Sequence, residues 1–279
     1  MQDGIKLELL PEFTAIKQTP IQDIIDDLAK RAALENAAPS DPSYRTMLAQ
    51  AYREKMLRQD IDEQTKGVML AFAKGPQLDH IGSTYYRTPD GKPVKRLVGE
   101  TDEAYQSRLQ LSMEGYSSAG PDGAYRFYTK SADPNVRDCE PTSPLPCHIE
   151  NYILTYDNGG QATEALCKKV EAFVFPHRPL GDRHRVHPAE ILSYTIDAEL
   201  IVRKGLDNAA IKQKALEQVM AFTLDEHKLA GYVSSSSLDK HLTTSGVVKV
   251  NLIGWQDVVA DRTQAPRCDG VSITVKELA

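Results

Sequence analysis

The chain has 279 residues, 41% hydrophobic and 26% charged, with a formal net charge of −6 at pH 7. That balance excludes a disordered chain, and it argues against nucleic acid as the main partner, because a phosphate-neutralising protein carries a basic face and no Lys/Arg run stands out here. No stretch of about 18 apolar residues occurs, so no membrane-spanning helix is expected, and the start, MQDGIKLELL, lacks the basic-then-apolar pattern of a secretory signal.

Four cysteines, Cys139, Cys147, Cys167 and Cys268, form no CxxC pair and are expected to stay reduced, as in a protein made in a cytoplasm.

Residues 1–20 read as an extended lead-in with Pro11 and Pro20 as breakers. A helix is predicted over 21–34, with Thr19 as cap, Pro20 in its first turn, and an apolar stripe of Ile21, Ile24, Ile25 and Leu28. After AAPSDPS, Asp41 and Pro42 are a good cap and first residue for a long helix over 42–73, roughly 48 Å at 1.5 Å per residue. Gly75-Pro76 is expected to end it, and Gly67 is a possible break inside it. A helix that long needs partners along its length. Either other chains supply them in a shared bundle, or the helices at 21–34 and 78–86 cover it. Candidate interface residues are Leu48, Tyr52, Met56, Met69 and Phe72; in a plainer reading they are core.

A loop or hairpin follows around Pro89-Asp90-Gly91, then a helix capped by Thr101 with Asp102 and Glu103 in its first turn. GYSSAGPDG breaks that helix, and a short helix over 122–131 comes next. From there strands and helices alternate. Strands are predicted at 136–141, 148–156, 183–188, 191–202 and 247–253, with one or two more in 258–275 around a turn at Ala265-Pro266. Helices are predicted at 163–174, 207–230 and 234–242. The fold class is α+β: an N-terminal helical domain (1–121) with a long helix, then two small α+β domains (122–190 and 191–279) with mainly antiparallel sheets.

Candidate chemistry is sparse. His177, His184 and His187 cluster in sequence, with Cys147-His148 upstream, and a metal-dependent hydrolase using those histidines is the alternative function. Against it, His184 and His187 are three apart, which turns them to opposite faces of a strand, and the surrounding arginines would repel a cation. GYSSAGPDG matches neither GxxxxGK[ST] nor GxGxxG and reads as a turn. No GxSxG, HExxH, EF-hand or kinase motif is present. Spacing alone cannot find a catalytic carboxylate pair, so Asp133, Asp138 and Glu140 read equally as solvated carboxylates, and the serines of SSSSLDKHL read as a helix cap. No catalytic residue, metal site or cofactor is assigned.

The segment ETDEAYQSRLQLSMEGYSSAGPDGAYRFYTKSADPNVRDCEPTSP (100–144) carries an acidic helix start and an R-x-Q-L stretch. An E-G-x-S-x-A-G-P-x-G-A-Y turn, S-A-D-x-x-V and a strand reaching T-S-P follow in order. It resembles the baseplate J-like family of contractile phage tails. Weaker similarity extends through AYREKMLRQDIDEQTKGVMLAFAKGPQLDHIG (51–82), RPLGDR (178–183), AEILSYTIDAEL (189–200) and TQAPRCDGVSIT (263–274). NGGQAT, after LTYD, is shorter than the usual turn, and RHRVHP stands where the family has an apolar strand. The resemblance implies a structural, non-enzymatic wedge subunit in a virion or tailocin-like particle. Its implied partners are a second copy of itself, a tail protein I-like wedge protein, a small lysozyme-like-fold wedge protein, and neighbouring wedges in a ring around a central hub. It implies neither nucleic acid nor membrane.

Overall fold

A computed structural model describes residues 7, 10–11, 13–117 and 119–278. The part of the lead-in reading that falls on residues 1–6, 8, 9 and 12 lies outside them. The chain divides into two compact units: residues 1–96 with 101–110, and residues 97–100 with 111–279.

In the first unit, α1 (Ile21–Ala32) packs on α2 (Pro42–Lys66) through Ile24, Ile25 and Ala51, with Ile21, Leu28 and Tyr44 around them. Thr19 does not cap α1. Pro20 occupies the cap position with no side-chain hydrogen bond, its fixed φ setting the entry. Asp41 does cap α2, its carboxylate accepting from the Ser43 N–H at 3.0 Å. Buried Asp62 accepts from the Ala15 N–H at 2.6 Å, and Arg58 donates to the Lys17 carbonyl at 3.0 Å, so α2 straps residues 15–17 to itself. Asp62→Ala is expected to cost about 1–3 kcal/mol by orphaning that N–H, measurable as a lower urea midpoint with unchanged slope.

The long helix stops at Lys66, short of the expected Ala73. Gly67 is the C-cap residue, its N–H bonding back to the Glu63 carbonyl, and a Cβ there would meet only the movable end of the Gln77 side chain, 2.5 Å away. Gly75-Pro76 does not terminate a helix but opens α3 (Gly75–Tyr85), where proline has no N–H to lose. The Asp102 carboxylate accepts the Gly75 N–H at 3.2 Å. The 67–74 loop is tied down by Gln106 of α4 (Asp102–Leu111), whose amide donates to the carbonyls of Leu70 and Ala73, both at 3.0 Å. Tyr105, fully buried, donates to the Val94 carbonyl at 2.6 Å between the guanidinium groups of Arg96 and Arg108.

In the second unit α5 (Asp122–Ala132) is followed by β1 (Val136–Leu145), β2 (His148–Thr155), α6 (Glu164–Val174) and β3 (Arg183–Pro188). β1 and β2 pair antiparallel around a two-residue Pro146-Cys147 turn, and β3 joins β2 in parallel after the α6 crossover. β1 runs to Leu145, four residues beyond prediction. A second sheet has the order β6-β4-β8, from β4 (Glu190–Val202), β6 (Val247–Leu252) and β8 (Gln264–Glu277). β4 and β6 are antiparallel, whereas β4 and β8 are parallel. α7 (Asn208–Glu226) and α8 (Ser235–Leu242) contribute Ile211, Ala215, Val219, Leu238 and Leu242 to its core, against Ile196, Ala198, Leu200 and Val202. Short strands β5 (Tyr232–Val233) and β7 (Val258–Val259) form an antiparallel pair. The class is α+β, and each three-stranded sheet is mixed.

β3 passes into β4 across a single residue, Ala189. The Ala189 N–H bonds back to Ile153 and the Glu190 N–H forward to Thr263, both at 3.0 Å. One extended segment therefore leaves the first sheet and enters the second, and Leu154, Ala189, Leu229 and Ala265 form the core where it crosses. The predicted turn at Ala265-Pro266 is absent because both residues lie inside β8; proline is tolerated there on an edge strand. Ser234 caps α8 through the Ser237 N–H, so SSSSLDKHL is a helix start as expected.

Candidate protein-interaction surfaces

The glycine turn at 114–123 is a set of close approaches. A Cβ at Gly115 would lie 2.6 Å from the Phe127 ring, one at Gly123 2.6 Å from the Glu114 side chain, and one at Gly120 2.7 Å from Pro179. Gly120 also holds a φ of +72°. Tyr128 donates to the Gly115 carbonyl at 2.9 Å, and Tyr125 to the Asp182 carboxylate at 2.6 Å. Two sequence motifs far apart in the chain, EGYSSAGPDGAY and RPLGDR, thus lock together. Arg178 completes the clamp by donating to the carbonyls of Pro179 and Leu180, at 3.0 and 3.1 Å, and to that of Asp182. Its guanidinium sits 4.4 Å from the Phe175 ring centre.

This rigid scaffold holds apolar side chains in solvent. Leu180 is 97% exposed and Met113 70%, while Tyr116, Phe173 and Phe175 are also exposed. His177 lies flat on Tyr128 at 4.2 Å with Phe173 at its edge, 5.9 Å away, which links the α6 end of the surface to the Gly115 end.

The three clustered histidines are parted. His177 stacks on Tyr128; His184 is buried and stacks on Tyr125 at 5.3 Å; His187 turns to the other sheet face and pairs with Glu150. Among the described residues, no group of three or more His, Cys, Asp or Glu side chains is placed to hold one metal ion. Glu140 is not solvated as expected. It is 5% exposed and ion-paired with Arg126 and Arg262. Asp138 accepts from the Leu229 N–H at 3.1 Å, and Asp133 binds Lys169 at 2.7 Å. All four cysteines are free thiols; burial pushes Cys139 up to about 12, which makes it a poor nucleophile.

Neither ring nitrogen of His184 has a hydrogen-bond partner among the described residues. Burial, and then the nearby Arg178, push its pKa down to about 4, so the buried ring is neutral. A depressed folded-state pKa gives stability that is present above the unfolded value near 6.5 and lost as pH falls through the folded one. Between those limits the stability of the parent should fall by up to about 1.4 kcal/mol per pH unit relative to His184→Phe, read from denaturant midpoints at several pH values.

Of the residues singled out in the long helix, Leu48, Tyr52 and Met56 sit at four-residue steps along one side of α2. All three are exposed, Tyr52 by 59%. Met69 and Phe72 are half-buried in the loop after α2, so the structure does not bring all five onto one helix. The platform around Leu180 was not anticipated. Gly115, Gly120 and Gly123, where a side chain would strike a neighbour, read in the sequence only as a turn.

The helical unit carries an exposed apolar stripe on α2, and the α+β unit carries exposed apolar side chains around the 113–116 and 173–180 segments. Residues 39–89, which span α2, its loop and α3, match the model of the baseplate J-like N-terminal domain. The chain is 33% identical over 263 residues to baseplate protein J of Escherichia phage P2, covering 90% of this chain and 87% of that protein. It belongs to the baseplate J-like family. A cryo-EM structure of the anti-feeding prophage baseplate is similar over 61% of this chain and 42% of that one, at 13% identity and a TM-score of 0.42.

Proposed function

We propose that this chain is a structural, non-enzymatic subunit of the baseplate wedge of a contractile phage tail or tailocin-like particle. It assembles with a second copy of itself and with other wedge proteins, tail protein I-like and lysozyme-like-fold among them, into a ring around the central hub. It is part of the virion, in the tail baseplate. The observation that carries this reading is the identity to a phage baseplate protein along nearly the whole chain. The exposed stripe of Leu48, Tyr52 and Met56 supports it, because large apolar side chains aligned on a surface helix favour contact with another protein. In this reading α2 and the loop bearing Met69 and Phe72 form the shared contact, and residues 122–190 and 191–279 build the ring. Leu48→Asp tests it. Leu48 is partly exposed in the single chain, so the variant should fold; its charge would be buried unpaired on assembly. Light scattering of the variant co-purified with its wedge partner should show the complex lost. An intact complex of unchanged mass would contradict the assignment of α2.

A further inference from the structure

β3 is an edge strand, since its sheet has the order β1-β2-β3. The Arg183 N–H bonds to the Cys147 carbonyl at 2.7 Å and the Ala189 N–H to the Ile153 carbonyl at 3.0 Å, both on the β2 side. Backbone groups alternate sides along a strand, so the N–H and C=O groups of His184 and Val186 point away from β2. No hydrogen bond to those groups is found among the described residues.

The side chains of β3 sort by face. His184 and Val186 are buried on the face that α5 covers, where His184 stacks on Tyr125 and Asn151 of β2 donates to Thr129 at 2.7 Å. Arg183, Arg185 and His187 lie on the other face, in register with His148, Glu150 and Tyr152 of β2. Glu150 stands opposite Arg185 but is ion-paired with His187. The exposed guanidinium groups of Arg183 and Arg185 have neither an ion pair nor a hydrogen bond among the described residues. An open backbone edge thus carries two unmatched cations on one face and buried, mostly apolar packing on the other.

We propose that this edge takes a strand from another protein in which acidic and apolar residues alternate. Its carboxylates lie beside Arg183 and Arg185, and its apolar side chains continue the face of His184 and Val186. The free backbone groups select a polypeptide, because an added strand satisfies them through main-chain hydrogen bonds. The charges select its composition. Like charges set opposite one another destabilise a strand pair, so the arginines that favour an acidic strand disfavour the β3 edge of a second copy. The proposal stands apart from the reading of α2.

The probe is a synthetic peptide of alternating valine and glutamate, titrated into the full chain. It should bind, and amide hydrogen exchange at His184 and Val186 should slow on binding. The double variant Arg183→Glu/Arg185→Glu changes only exposed side chains and should keep the parent's circular dichroism and melting temperature. It should bind the glutamate peptide more weakly by roughly tenfold or more, and should accept the matching valine–lysine peptide that the parent refuses. A glutamate peptide that does not bind the parent overturns the proposal, as does equal binding to parent and double variant. So does binding that leaves exchange at His184 and Val186 unchanged, or equal binding of a shuffled peptide of the same composition, since either would reduce the contact to charge alone.

Discussion

Replacing Glu140 with alanine is expected to destabilise the second unit by roughly 3–5 kcal/mol, the cost of removing one partner from a buried ion pair. Glu140 lies in β1 with 5% exposure, between two arginines from distant parts of the chain. Arg126 of α5 pairs with one carboxylate oxygen and also donates to the Cys139 carbonyl at 3.0 Å. Arg262, just ahead of β8, donates to the other oxygen at 2.6 Å and to the Pro141 carbonyl at 3.4 Å. The carboxylate therefore ties the α5–β1 layer to the start of the second sheet's edge strand. Without it, the Arg126 charge stays in a low-dielectric setting with its carboxylate gone. Calorimetry should show a melting temperature lower by many degrees. The double variant Glu140→Leu/Arg126→Met should recover much of the loss, since apolar residues of similar volume can replace a buried pair. Equal losses in the single and double variants would mean that the charge is not the cause.

Gly82→Ala is the second large effect, expected to cost about 3 kcal/mol or more in the first unit. A Cβ there would stand 1.9 Å from the Tyr105 hydroxyl and 2.6 Å from the ring carbon that bears it. The Tyr105 ring has no exposed surface and cannot swing aside, so either α3 shifts or the hydroxyl leaves the Val94 carbonyl. Overpacking and the lost buried hydrogen bond add together. Tyr105→Phe in the Gly82→Ala background removes the nearest clashing atom and should restore part of the stability in urea titrations. No restoration would place the strain elsewhere.

The fold was legible where one local signal decided it. Asp41 and Ser234 are caps that the sequence announces, and the alternation of 191–202 marks β4. Reading failed where tertiary contact decided. Pro76 looks like a stop from one side and a start from the other, and the Asp102 carboxylate across the unit settles which. Pro266 suggests a turn until β8 is known to be an edge. Glu140 looks like a surface carboxylate because its two arginines come from positions 14 and 122 residues away. The surfaces were half legible: Leu48, Tyr52 and Met56 follow from helical spacing. The Leu180 platform depends on the meeting of the 114–123 and 175–183 segments, which no local pattern states.

The most direct test of the central claim is an image reconstruction of assembled baseplates purified from particles that carry this chain. The structural-subunit account predicts density for the chain in each wedge around the hub, with Leu48, Tyr52 and Met56 covered by another protein surface. Complete baseplates that lack the chain, or that contain it with this α2 stripe facing solvent, would contradict it.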